Sequence, residues 1–156
     1  MDIRIALIGI FILLIIIVPL AIIHIKGENK EKIIINKLKS AAGNNGSPIE
    51  QYDLWNDYAI SISTDKMLYY IKNKNEAATD IDLSQIAACR IINSGKEFNA
   101  IATNINAVNK LELLLTPKNS HKPISLTFFE EEANLYINEE IRLIKKWNEI
   151  INKNLQ

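Results

Sequence analysis

Cysteine is almost absent from this chain. Cys89 stands alone among 156 residues, so no intrachain disulfide can staple the fold, and a reducing compartment suits it. Histidine is scarce too: His24 and His121 are the only two, and neither sits in a recognisable ligand motif, so no metal centre is expected. Charge of one sign is missing. The 18 basic and 18 acidic residues cancel, which leaves no strong field to gather nucleic acid or an acidic substrate. Phosphate-loop chemistry is missing as well, because Gly43-Asn44-Asn45-Gly46 lacks the Lys-Ser/Thr that must follow. Cys89 lies in an apolar stretch with no base at a recognisable spacing, and reads as a buried thiol rather than a nucleophile. No internal repeat or low-complexity tract appears. These absences leave no catalytic residue, cofactor or metal to assign, and the chain reads as something other than an enzyme.

What is present begins with an uncharged run from Ile5 to Ile23. At about 1.5 Å per residue it would span roughly 28 Å as a helix, close to the thickness of a bilayer core. The run is longer than a signal-peptide core, only Arg4 precedes it, and no Ala-x-Ala pattern ends it. No cysteine follows to carry a lipid. Residues 1–25 are therefore expected to be an uncleaved transmembrane anchor, with Gly9 and Pro19 as its interruptions. Basic residues are in excess after the run, at Lys26, Lys30, Lys32, Lys37 and Lys39, which predicts a cytoplasmic C-terminal domain on a single-pass inner-membrane protein. The same five lysines are the candidates for contact with lipid headgroups, although Glu28 and Glu31 dilute them and topology is their simpler role.

Residues 26–42 are expected to form a juxtamembrane helix with an apolar stripe of Ile33, Ile34, Leu38 and Ala42. The cluster Gly43 to Pro48 opens a linker that extends over residues 43–57. From residue 58 to 156 the pattern predicts one β-rich domain. Tyr58–Ser63 alternates, Thr64-Asp65-Lys66 suits a tight turn, and Met67–Ile71 completes a hairpin. Thr79–Leu83, Ala88–Asn93, Lys110–Thr116 and Ile124–Phe128 read as further strands, and Gly95 to Asn106 as a long polar loop. Hairpin-length connections make the sheet antiparallel. An amphipathic helix from about Ile137 to Asn154 closes the chain. It has Asn138 as its cap and Ile141, Ile144, Trp147, Ile150 and Ile151 as its apolar stripe.

The hairpin Tyr58–Ile71, the segment Ile81 to Ile86 leading into Cys89–Asn93, the strands Leu111–Leu115 and Ile124–Phe129, and the Trp147 helix together resemble the pleckstrin-homology-like (PH-like) superfold. The order is similar to that of uncharacterised bacterial membrane proteins with one anchor and a PH-like cytoplasmic domain. The resemblance implies an α+β fold. An N-terminal transmembrane helix would be followed by an antiparallel six- to seven-stranded bent sheet or barrel, capped by the C-terminal amphipathic helix. The first hairpin turn, Ser63 to Lys66, pairs one lysine with one aspartate, unlike the basic cluster with which lipid-binding members hold inositol phosphates.

The expected function is that of a membrane-tethered, non-enzymatic interaction module that binds a protein partner at the inner membrane face. The alternative is an accessory subunit of a larger membrane complex, acting through its transmembrane helix. Tyr52, Trp55, Tyr58, Tyr69 and Tyr70 are candidates for an aromatic partner surface, and Glu130-Glu131-Glu132 for a cation or a basic partner.

Overall fold

Short β-branched and aromatic runs joined by tight turns build two antiparallel sheets. In the computed structural model the described residues are 13, 15–19, 31–43, 46–73, 75–94, 96–97, 108–119, 122–130 and 138–155. The chain divides into two units, Met1–Asn36 and Lys37–Gln156. The second unit holds the strands β1 (Ile49–Trp55), β2 (Tyr58–Ser63), β3 (Met67–Ile71), β4 (Thr79–Asp82), β5 (Ile86–Asn93), β6 (Lys96–Glu97), β7 (Lys110–Pro117) and β8 (Ile124–Glu130). A 3-10 turn, Leu83–Gln85, joins β4 to β5. Helix α1 covers residues 31–43, with the unit boundary inside it, and α2 covers Asn138–Asn154.

The first sheet has the order β1-β2-β3-β4 and the second β6-β5-β7-β8. Turn chemistry sets the registers. Trp55 pairs with Tyr58 across Asn56-Asp57, where Asn56 takes φ 49°, a left-handed value that asparagine tolerates. The β2–β3 turn closes with Lys66 N–H donating to Ser63 O at 3.1 Å, and Lys66 sits at φ 64°.

Both sheets turn apolar faces toward one core. Ile60, Ile62, Leu68 and Ile81 from the first meet Leu111, Leu113, Leu115, Leu126 and Phe128 from the second. Leu143, Ile144, Trp147 and Ile151 of α2 complete the cluster, and the Trp147 side chain is fully buried. Trp55 stacks on Phe128, ring centroids 4.5 Å apart, and on Tyr58 at 5.5 Å. The other face of the first sheet is buried as well. Ala59, Ser61, Tyr69 and Ile71 have no exposed surface, and in the same unit Leu38 and Ala42 of α1 are buried outside the main cluster. Lys37 Nζ donates to Glu76 O at 3.0 Å and ties α1 to the β3–β4 loop.

Side chains satisfy the open backbone between the sheets. Thr127 pairs with Glu112 and Phe129 with Leu111, which leaves Phe128 as a bulge without an opposite residue on β7. Trp55 Nε1 donates to Phe128 O at 2.9 Å, and Tyr70 Oη to Thr127 O at 2.6 Å. The Asn152 amide donates to Cys89 O at 3.0 Å and accepts from Cys89 N at 3.3 Å, matching both backbone groups of one β5 residue. Asp53 on β1 accepts from Trp147 Nε1 at 2.8 Å and from Lys146 Nζ at 2.6 Å.

The described residues correct several expectations. The strands do not close into a PH-like barrel: the 3-10 turn interrupts pairing between β4 and β5, and side chains rather than a strand take the β8 carbonyls. No helix among the described residues is long and apolar enough to cross a membrane. This overturns the single-pass anchor, the inner-membrane localisation and the membrane assignment that rested on it. Of the apolar run, the described part is Leu13 and residues 15–19; the remainder lies outside the described residues. Residues 49–55, inside the stretch read as linker, form β1, and residues 96–97 of the expected loop form β6. Ile33 is 51% exposed and does not join the buried stripe of Ile34, Leu38 and Ala42. Helix α2 begins at Asn138 itself.

Two side-chain-to-backbone locks give tests of this architecture. Asn152→Leu strands both polar groups of Cys89 and is expected to cost about 1–3 kcal/mol in urea denaturation at neutral pH. Burial pushes the Tyr70 phenol far above its ordinary value, with Tyr58 adding to the effect. The native state therefore keeps a proton that the unfolded chain releases near pH 10. This contribution is intact below that pH and is lost as pH rises. Above pH 10 the wild type is expected to lose stability relative to Tyr70→Phe by about 1.4 kcal/mol per pH unit, measured by parallel urea titrations.

Candidate functional site

The short strand β4 forms one edge of the first sheet, and no described strand pairs with its second side. Its backbone directions follow from one bond. Leu83 N donates to Lys66 O at 3.2 Å, continuing the register in which Met67 pairs with Asp82 and Leu68 with Ile81. Bonded and non-bonded pairs alternate along an antiparallel ladder. Ile81 therefore directs its N–H and C=O toward β3. Asp80 directs both of its groups to the open side, and Asp82 its N–H, while the Asp82 C=O starts the 3-10 turn.

Beside this edge lies a groove of about 340 Å³ between β4, the start of β5 and the β7–β8 turn. Ile81, Ile86, Pro117 and Ile124 give it an apolar floor, and Asp80, Asp82, Gln85, Asn119 and Lys122 form its rim. Lys118 N donates to Gln85 O at 2.7 Å and fixes one wall to the other. Asp82 accepts from Ser84 N at 2.8 Å and caps the 3-10 turn. The Ser84 hydroxyl, and then its N–H, hold the Asp82 carboxyl below the ordinary carboxylate range. Asp80 is exposed.

The residues singled out in the sequence do not converge. Lys26 and Lys30 lie outside the described residues. Lys32 and Lys39 are exposed on α1, whereas Lys37 is half-buried and engaged with Glu76 O. Lys39 borders a second recess of about 510 Å³ with Gly43, Gly46 and Pro48. The aromatic set is mostly interior: Trp55, Tyr69 and Tyr70 are buried, Tyr58 is half-buried, and Tyr52 is exposed. Glu130 makes surface ion pairs with Lys72 at 3.7 Å and Lys110 at 3.9 Å; Glu131 and Glu132 lie outside the described residues, as do His24 and His121. Burial pushes the Cys89 thiol up to about 12, which removes its thiolate at neutral pH. Among the described residues no group of acids, histidines and cysteines could hold a metal ion.

The β4 groove was missed because its parts come from two distant stretches, 80–86 and 117–124. One signal was available: Thr79–Leu83 is brief and alternates acids with aliphatics, as an edge strand does. No family model, no curated protein and no solved structure matches this chain.

Asp82→Ala removes the cap that anchors the groove's 3-10 wall, with an expected cost of about 1 kcal/mol at pH 7 in urea denaturation. Because the folded carboxyl titrates below its unfolded value of about 3.9, the capping contribution is present above that pH. It fades as pH falls through the folded value. The difference between wild type and Asp82→Ala should therefore shrink toward pH 2, with the Ser84 amide resonance titrating in step.

Proposed function

We propose that this chain is a non-enzymatic interaction domain that captures an extended segment of a protein partner along the open side of β4. The carrying observation is the outward-directed N–H and C=O of Asp80 and N–H of Asp82, set beside an apolar-floored groove. A partner strand laid there would exchange backbone hydrogen bonds with β4, and its alternate side chains would drop toward Ile81, Ile86 and Ile124. Backbone bonds supply affinity in this mode, and the floor supplies the apolar contact.

Support for the reading comes from how the neighbouring edges are treated. The β8 carbonyls at Thr127 and Phe128 are taken by Tyr70 and Trp55, and the backbone of Cys89 on β5 by Asn152. The outer strand β1 carries a bulge at Glu50 and is held to α2 through Asp53. Strand β4 combines outward backbone groups with a recess beside them.

The test uses linear peptides selected from a random display library against the full chain. Bound peptides are expected to shift the amide resonances of Thr79–Asp82 and Ile124 most. N-methylation of alternate peptide amides should abolish binding in one phase and spare it in the other. Peptides whose shifts lie elsewhere, or that bind equally well in both N-methylated phases, would overturn the reading.

A further inference from the structure

Resting on that reading, we infer that the captured segment is basic and alternating, with a cationic residue, an aliphatic residue and a second cationic residue opposite Asp80, Ile81 and Asp82. Side chains on a strand alternate between faces, so Asp80 and Asp82 share one face, about 7 Å apart, and Ile81 occupies the other. Residues directly opposite one another across a strand pair share a face. A segment docked on β4 therefore places its first and third residues beside the two carboxylates and its middle residue over the groove floor.

Charge completes the assignment. Asp80 is exposed, and among the described residues no cation is paired with it. Asp65, in the β2–β3 turn, adds a minor like-charge effect on Asp82. The rim supplies one cation, Lys122, from the β7–β8 turn across the groove. Opposite charges directly across a strand pair stabilise it, and like charges destabilise it. An acidic segment would meet Asp80 and Asp82 in the unfavourable sense, and a wholly apolar one would leave both carboxylates without a counter-charge. The middle position excludes bulk charge for a separate reason: Ile81 and Ile86 present a buried apolar floor in which an unpaired charge is costly.

The experiment compares two blocked, dye-labelled heptapeptides, one alternating Arg with Ile and one alternating Glu with Ile, by fluorescence anisotropy on the full chain at 50 and 300 mM salt. The Arg peptide is expected to bind at least about ten-fold more tightly at low salt, with the margin narrowing at high salt. Asp80→Lys is expected to reverse the preference. N-methylation of the β4-facing amides of the Arg peptide should remove its binding without altering the protein. Equal affinity for both peptides, each sensitive to N-methylation, would overturn the charge assignment and leave the edge-capture reading standing. Binding of the Arg peptide that survives N-methylation would overturn the assignment as unstructured surface attraction. Binding of neither peptide would overturn it too, and the library selection above then decides the fate of edge capture by itself.

Discussion

Backbone polar groups that leave a sheet without a partner must find one or remain in water, and this constraint organises the molecule. Two four-stranded sheets face a shared core without closing on each other. Each therefore ends in open backbone near an apolar interior. Two aromatic side chains and an amide answer this locally. Trp55 and Tyr70 belong to the core through their rings and to the sheet edge through their polar tips. Asn152 offers an amide donor and acceptor to Cys89 in the way a neighbouring strand would. Without these contacts the gap between sheets would have to hold water against Phe128 and Leu126.

The same locks explain why α2 sits where it does. Its apolar stripe alone would let it slide along the core mouth, because hydrophobic burial is not directional. Asp53 fixes it through Lys146 and Trp147 near its middle, and Asn152 through Cys89 near its C-terminal end. The buried area of Trp147 supplies the energy and the hydrogen bonds supply the register. The Lys146–Asp53 ion pair is half-exposed and adds little by itself. Its carboxylate matters more as an acceptor for an indole N–H that has no water to turn to.

Much of this was legible in the sequence, and the failures have physical causes. The α2 stripe and the hairpin of β2 and β3 were readable because period and turn residues agree there. Strand β1 was not, since Gln51 and Asp53 occupy positions where alternation calls for apolar side chains, and Asp53 is polar because it serves the Trp147 indole. Ala59, Ser61 and Ser63 look like a solvent face by their small and polar side chains but are buried. The apolar run suggested an anchor by hydropathy, but no helix among the described residues is long and apolar enough to cross a membrane. The candidate groove was the least legible part. Neither Asp80 nor Ile124 signals a site; only the fold sets them on one recess, and only the ladder shows which backbone groups face it.

An open edge is a hazard as well as an opportunity, and the carboxylates on β4 bear on both. Antiparallel pairing of two copies through β4 centred on Ile81 would bring Asp80 of one copy opposite Asp82 of the other. The same clash would repeat on the far side of the centre. A shift of register by one residue would instead set aspartate against Ile81 and expose the apolar face. The edge is thus closed to its own kind at the registers that would bury most apolar surface. A segment that brings cations to the outer face and an aliphatic side chain to the floor meets neither obstacle. One charge pattern therefore accounts for two properties: β4 can remain unpaired beside an apolar recess without joining copies of the chain, and it favours an oppositely patterned strand.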